Sequence, residues 1–289
     1  MEIASSSSKP PSDGHSLSKA ATPKSLTPFL KWPGGKRWAA QQIASIVHEK
    51  LRKKYLEPFL GGAAVFFYLR PSKAILSDIN PDLINTYRAV RDHPARVINA
   101  LRDLHVSDKD YYRIRSTVPA SPTLRAARFL YLNRTAFGGM YRLNKDGHFN
   151  VPFGGGERTP DIFFRTAILR NASLALHTAK LMLSDFEAIL NEARGGDVVY
   201  CDPTYTVTHD QNGFIRYNEQ SFSWSDQERL ATAAARARRR GAAVIVSNAH
   251  HEEVRKIYRR ATLWTLTRKS TLSADPSKRR TVYEYLIIL

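Results

Sequence analysis

The chain has 289 residues, with 44 Lys or Arg against 26 Asp or Glu, so its formal net charge is +18. A charge of this size favours a polyanionic partner, either nucleic acid or an anionic membrane surface. No apolar run approaches the roughly 20 residues that a membrane-spanning helix needs. The single cysteine, Cys201, excludes an intramolecular disulfide and fits a reducing compartment. We therefore expect a soluble, unexported, cytoplasmic protein.

The first residues form a low-complexity segment. Residues 1–23 are rich in Ser, Pro and Lys and lack apolar periodicity, which predicts a disordered tail. A Ser-rich transit peptide is the alternative, but Glu2, Asp13 and the scarcity of Arg argue against it.

A glycine-bearing segment follows, running Phe29-Leu-Lys-Trp-Pro-Gly-Gly-Lys-Arg-Trp38 into a helical pattern. The paired glycines permit close backbone approach, and a helix start can receive an anion. The alternative is a plain tight turn with a surface lysine. A nucleotide-phosphate loop is excluded because the G-x-x-x-x-G-K-[ST] spacing is absent.

Two predicted strands come next, Lys54–Phe59 and Lys73–Ser77. The first runs into a turn at Gly61-Gly62 and then a helix, and the second ends at Asp78. An acidic residue at the end of the second strand of such a unit can bind a ribose diol. Without G-x-G-x-x-G the turn disfavours a nicotinamide cofactor and favours a nucleoside cofactor without pyrophosphate. The alternative is that the glycines only allow close packing.

The segment from Phe129 to Gly156 interleaves glycines, aromatic rings, amides and cations. This composition suits a loop that stacks on bases and binds phosphates, whereas the alternative is a solvated charged loop.

The next predicted strand, Asp197–Cys201, delivers Asp202, Pro203 and Tyr205 to its carboxyl end, where open α/β sheets place their sites. An Asp-Pro turn without a function is the alternative. Cys201 is interpreted as a small buried hydrophobe rather than a nucleophile.

A further strand is predicted at Ala242–Ser247, and Thr262–Lys269 with Thr281–Leu289 predict a terminal hairpin joined by a polar link. Strands alternating with helical patterns predict an α/β fold with a largely parallel sheet.

Together and in this order, these segments resemble the Dam-like, or D12, class of DNA adenine-N6 methyltransferases from about Thr27 to Leu289. The family pattern F-L-K-W-x-G-G-K, E-P-F-x-G-x-G-S-V-F, D-I-N, N-R…G-x-F-N-V-P-F-G and D-P-P-Y is matched at five places. These are Phe29–Lys36, Glu57–Phe66, Asp78–Asn80, Asn133–Gly154 and Asp202–Tyr205.

The resemblance implies a Rossmann-like S-adenosylmethionine-dependent methyltransferase core at residues 24–105 and 172–289, with a mainly helical DNA-recognition insert at 106–171. It implies catalytic roles for Asp202, Pro203 and Tyr205 on an adenine flipped out of double-stranded DNA. It also implies that S-adenosylmethionine is held by Trp32, Lys36, Phe59, Gly61, Asp78, Asp185, Phe186 and Asp202. The residues expected to contact DNA are Lys31, Asn133, Arg134, Phe137, Arg142 and Lys145. With double-stranded DNA as the partner, neither a metal nor a membrane partner is expected, and DNA binding would place the protein at the nucleoid.

Two departures from the family pattern affect these expectations. Thr204 replaces the second proline of D-P-P-Y, and in the recognition loop Gly138, Gly155 and Gly156 replace the residues of GATC-specific members. Two alternatives stay open: a catalytically weakened DNA-binding protein, which would bind cofactor without turnover, and an enzyme for RNA or another amino base. The sequence leaves the recognition site, the oligomeric state and a restriction endonuclease partner open.

Overall fold

The structure is a computed structural model that describes residues 26–155, 165–206, 222–269 and 281–289. The predicted tail at 1–23 and Gly156 lie outside the described residues. The strands are β1 (Tyr55–Glu57), β2 (Ala74–Asp78), β3 (Ala179–Leu183), β4 (Val198–Cys201), β5 (Ala243–Ala249), β6 (Thr262–Lys269) and β7 (Thr281–Ile288). The helices are α1 (Ala40–Lys50), α2 (Ala64–Leu69), α3 (Pro81–Asp92), α4 (Pro94–Arg102), α5 (Asp108–Ser116), α6 (Pro122–Thr135), α7 (Thr166–Leu176), α8 (Phe186–Glu192), α9 (Trp224–Arg239) and α10 (Glu252–Ile257).

The strands form one seven-stranded sheet in the order β3-β2-β1-β4-β5-β7-β6. The first five are parallel, whereas β7 runs antiparallel to both β5 and β6. The strand order reverses between β1 and β4, the place where open α/β sheets bind their ligands. The fold is therefore the predicted α/β class with a Rossmann-like sheet.

Burial on both faces explains the apolar runs of the central strands. Every residue of β1 and β4 is buried. One apolar cluster on one face includes residues of α1 to α7, and a second on the other face includes residues of α8, α9 and α10. Helices thus cover both sides of the sheet, as parallel strands require.

The strands predicted from sequence are confirmed with small shifts at their ends, and the terminal hairpin is confirmed by the pairing of Thr262 with Ile288 and of Lys269 with Thr281. The polar link of that hairpin lies outside the described residues. The sequence analysis missed β3, an edge strand in which exposed Lys180 interrupts the apolar run and Leu183 at its end is also exposed.

The predicted insert contributes helices that share the core. α6 packs against α3 and α4, and Tyr131 on α6 is fully buried. After α6 the chain forms a loop with isolated bridges Ala136–Phe153 and Leu143–Phe149. Because α7 crosses the predicted boundary at 171 and packs against α3 and α4, the domain limits stay a prediction. Within the described ranges, no helix is long and apolar enough to cross a membrane.

Candidate active site at the carboxyl edge of the sheet

The carboxyl ends of four neighbouring strands deliver the predicted site residues. β1 leads into Phe59 and Gly61, β2 ends at Asp78, β3 precedes Asp185, and β4 precedes Asp202. Parallel strands place these ends at one edge, so segments far apart in sequence meet there.

The indole side chain of Trp32 packs directly against the backbone of Gly61. Gly61 has a φ of +43°, and a Cβ added to it would lie 2.7 Å from Cδ1 of the Trp32 indole. The other side of Trp32 faces the insert, where Tyr141 stacks on it at 5.4 Å between ring centroids. Glycine is required here because a side chain would displace the indole. Trp32 therefore connects the turn after β1 with the loop that follows α6.

Asp78 organises the turn after β1 from the neighbouring strand. Its Oδ2 accepts a hydrogen bond from the Gly61 amide at 3.1 Å, and its Oδ1 accepts one from the Asn80 amide at 3.0 Å. Burial raises the pKa of Asp78, and these backbone bonds act in the opposite direction. A carboxylate has about four acceptor positions, so capacity remains for a hydroxyl ligand.

An aromatic and ionic cluster borders the same edge near β3. The Phe59 ring stacks on Phe186 with centroids 5.2 Å apart, and the Arg229 guanidinium lies 4.2 Å from the Phe186 centroid. Asp185 caps α8 by accepting the Glu187 amide at 2.9 Å. Both Asp185 carboxylate oxygens also accept from Arg229 at 3.0 Å. Arg229 and its contacts were not part of the sequence prediction.

Lys36 and Asp202 form an ion pair in the centre of the site. The Lys36 ammonium is 2.7 Å from Oδ1 of Asp202 and donates to the Gly34 carbonyl at 2.9 Å. The Lys36 side chain is 4% exposed and that of Asp202 is 18% exposed. Burial raises the pKa of Asp202 to about 6, against the lowering influence of Lys36. Asp202 is thus ionised at neutral pH and close to protonation in mild acid.

Tyr205 reaches a carboxylate that the sequence analysis did not single out. Its hydroxyl donates to Oε2 of Glu284 at 2.7 Å, and Oε1 of Glu284 accepts from Nε of Arg268 at 3.0 Å. The Lys36 ammonium lies 4.9 Å from the Tyr205 ring centroid. The available signal was a single charged residue within the otherwise apolar run from Val282 to Ile288 of the terminal strand.

The backbone of the Asp-Pro-Thr-Tyr turn is hydrogen-bonded to a buried polar side chain of α9. Pro203 is buried, whereas Thr204 is exposed. The Thr204 carbonyl accepts from Nε2 of buried Gln227 at 3.4 Å, and Oε1 of Gln227 accepts from Asn248 at 2.8 Å. These bonds constrain the turn where the family pattern has a second proline ring.

Cys201 is fully buried on β4, and burial raises the pKa of its thiol. A thiol that stays protonated and has no solvent access is a poor nucleophile. This environment agrees with the interpretation of Cys201 as a small core residue.

Two residues expected to contact DNA make internal contacts. Asn133 is 1% exposed, and its amide group accepts from the Lys31 amide at 2.9 Å and donates to the Lys31 carbonyl at 2.6 Å. Arg134 is partly buried and donates to the Phe29 carbonyl. The burial of Asn133 supports a positioning role for its side chain, because almost none of this residue is exposed for the predicted direct contact with DNA.

The other predicted DNA-contacting residues are exposed. Phe137 is 58% exposed beside the end of α6. Lys31, Arg142 and Lys145 are also exposed, and Nε of Arg142 donates to Oδ1 of Asn150 at 2.8 Å. Phe137, Arg142 and Lys145 lie on the loop whose Tyr141 stacks on Trp32, so this loop adjoins the site.

Known proteins match this chain over most of its length. A model of the D12 class of N6 adenine-specific DNA methyltransferases matches residues 32–272. A type II methyltransferase of Lactococcus lactis, M1.LlaDCHI, is 34% identical over 91% of this chain and 95% of its own length. The M.MjaIII methyltransferase of Methanocaldococcus jannaschii is 35% identical over 91% and 99%, respectively. The DNA adenine methylase of Escherichia coli K12 is 33% identical over 90% and 94%.

Proposed function

The chain belongs to the D12 class of N6 adenine-specific DNA methyltransferases, and from this premise we propose how its residues divide the work. It is a DNA adenine-N6 methyltransferase that uses S-adenosylmethionine. The observation that carries the proposal is the largely buried Lys36–Asp202 pair, which lies at the same carboxyl edge of the sheet as Asp78 and the turn after β1.

The residues at this edge fit S-adenosylmethionine. We assign the ribose hydroxyls to Asp78, which retains acceptor capacity, and the methionine end to Trp32 and Lys36 beside the Gly61 turn. Phe59, Phe186 and Asp185 would border the adenine ring of the cofactor, since two aromatic faces and a carboxylate meet there. When bound, S-adenosylmethionine supplies an electrophilic methyl group.

Asp202 and Pro203 would act on the target amine. The lone pair of an adenine amine is delocalised into the ring, which makes it a poor nucleophile. An ionised Asp202 and the Pro203 carbonyl can accept hydrogen bonds from this amine and favour its pyramidal form. This nitrogen would receive the methyl group directly from bound S-adenosylmethionine, with the methyl–sulfur bond breaking to leave S-adenosylhomocysteine and one amine proton released to solvent, so no covalent intermediate would form on the enzyme. Lys36 keeps Asp202 ionised by lowering its pKa.

The substrate we propose is double-stranded DNA. Because a paired adenine amine is inaccessible to this chemistry, the base would be extruded into the site and stack on Tyr205. The exposed Phe137 is our candidate for the side chain that inserts into the base stack at the gap left by the extruded adenine. The exposed cations Lys31, Arg142 and Lys145 are candidates for direct DNA contacts, and Asn133 and Arg134 position the segments around them. An enzyme with this substrate would be located at the nucleoid, where the chromosomal DNA is.

Modification mapping in a methylation-free host tests this function. We expect expression of the chain to produce N6-methyladenine within one short sequence, and Asp202→Ala to abolish the signal. Side-by-side assays with RNA would show whether DNA is preferred. Cofactor binding without any modification of DNA or RNA would contradict the proposal and indicate a DNA-binding protein on a methyltransferase scaffold. The same map would define the recognition sequence. The genes next to the one that encodes this chain would then be screened for a restriction endonuclease with that specificity.

A further inference from the structure

Glu284 is a buried carboxylate that reaches the active site from outside the parallel part of the sheet. It lies on β7, where it pairs with Ala249 of β5 on one side and Leu266 of β6 on the other. Only 3% of the residue is exposed. A buried charge is costly unless it is paired, so its partners indicate what it does.

The two oxygens of Glu284 have different partners. Oε1 accepts from Nε of Arg268 on β6 at 3.0 Å. Oε2 accepts from the Tyr205 hydroxyl at 2.7 Å and lies 3.5 Å from the Lys36 ammonium. The carboxylate therefore joins the terminal hairpin to the Asp-Pro-Thr-Tyr turn and to the lysine that pairs with Asp202.

The pKa values of the two carboxylates beside Lys36, Glu284 and Asp202, are shifted in opposite directions. Lys36, Tyr205 and Arg268 lower the pKa of Glu284, outweighing its burial. The pKa of Asp202 is raised instead, and the negative charge of Glu284 is one of the causes. Glu284 thus remains ionised where Asp202 begins to take up a proton.

We propose that Glu284 is a positioning residue of the methyl-transfer site, which holds the Tyr205 phenol in place for the target base and shares the Lys36 charge with Asp202. This inference rests on the proposed function. A ring tethered through its hydroxyl keeps one orientation, so an extruded base meets a preformed stacking surface. A base that arrives at a preformed surface loses less free energy on ordering the site.

The experiment compares Glu284→Gln, Tyr205→Phe and the double variant in single-turnover methylation of DNA. Glu284→Gln keeps the shape and removes the charge, whereas Tyr205→Phe keeps the ring and removes the donor. We expect each to lower the rate by about ten- to one-hundredfold, as for the loss of one charge-assisted hydrogen bond. The double variant should lose little more than either single variant, because each single change already removes the charge-assisted hydrogen bond between Tyr205 and Glu284. Glu252→Gln, an exposed charge change on α10, is the matched control and should keep the parental rate.

A second readout separates positioning from a merely structural effect. Asp202 faces the titratable groups Lys36, Glu284, Glu57, Cys201, Tyr200 and Tyr205. Removing the negative charge of Glu284 lowers the pKa of Asp202, so the acid limb of the pH–rate profile should move to lower pH in Glu284→Gln. A destabilised fold would lower the rate without moving this limb.

Base extrusion gives a third readout that does not need turnover. With 2-aminopurine at the mapped target position, Glu284→Gln should show a smaller fluorescence increase on DNA binding than the parent does. Thermal unfolding and cofactor calorimetry identify the folded variants.

The inference is overturned if the acid limb of folded Glu284→Gln stays in place, or if the two single losses add in the double variant. An unchanged fluorescence increase in Glu284→Gln overturns it as well. Failure of the proposed function is distinguishable, because the parental chain itself would then leave DNA unmethylated.

Discussion

The Lys36 ammonium lies 2.7 Å from Oδ1 of Asp202, although Lys36 follows the paired glycines near the amino end and Asp202 follows β4. The pair is largely buried, so each charge depends on the other for its stability. It joins the segment assigned to the cofactor with the segment assigned to the target base.

Asp202→Ala should abolish methylation and leave DNA binding largely intact. The variant removes the acceptor for the target amine, and the loss of such a preorganised contact lowers the chemical step by at least about a hundredfold. Single-turnover methylation and a gel-shift titration measure the two properties separately. Near-parental turnover would remove Asp202 from the mechanism.

The rate of methylation should fall as the pH drops through about 6, because burial raises the pKa of Asp202 to about 6 and its ionised form is the stronger acceptor for the amine hydrogen bond. Lys36 lowers this pKa, so Lys36→Met should move the acid limb to higher pH. The pH–rate profile of residual activity tests this shift. A limb at the parental pH in Lys36→Met would contradict the electrostatic role of the pair.

Asp78→Ala should weaken cofactor binding by about 1.5–3 kcal/mol if a hydrogen bond from a ribose hydroxyl to the charged carboxylate is lost. Calorimetric titration with S-adenosylmethionine measures the change. Asp103→Ala, an exposed change at the end of α4, is the control and should bind like the parent. Equal affinities for all three proteins would exclude the ribose role of Asp78.

Arg142→Ala should relax the target sequence as well as weaken DNA binding. A guanidinium that reads a base edge discriminates between bases by about 1–3 kcal/mol. Arg142 is exposed and already oriented by its bond to Asn150. Methylation of a library of randomised sites gives the sequence profile. An unaltered profile would assign Arg142 to phosphate binding or to support of the loop.

Lys145→Ala should lower affinity to a similar extent for all DNA sequences. Lys145 lies in an exposed turn formed around Asn144, whose Oδ1 accepts the amides of Asp146 and His148. A mobile ammonium in such a turn suits a phosphate. Its loss should reduce the slope of log binding constant against log salt concentration by about one unit. Binding at several salt concentrations measures this slope. A change restricted to some sequences would indicate base contact instead.

Local signals were strong enough to predict much of this protein. β1, β2, β4 and β5 are short apolar runs bounded by turns, and the terminal hairpin is marked by two alternating strands. Asp78 and Asp202 follow their strands directly, so strand prediction alone placed both at one edge of the sheet. β3 was missed because an edge strand buries only part of its surface and lacks a continuous apolar run.

The amino-acid sequence by itself determined the family, the cofactor class and the segments that form the site, because each of the ordered motifs is one continuous stretch of chain. Only the tertiary structure decided which side chains meet. Sheet pairing brings Glu284 to Tyr205 and Lys36, and helix packing buries Asn133 against the Lys31 backbone instead of leaving it exposed. These contacts join segments separated by long stretches of chain, and neither periodicity nor turn chemistry carries information over that distance.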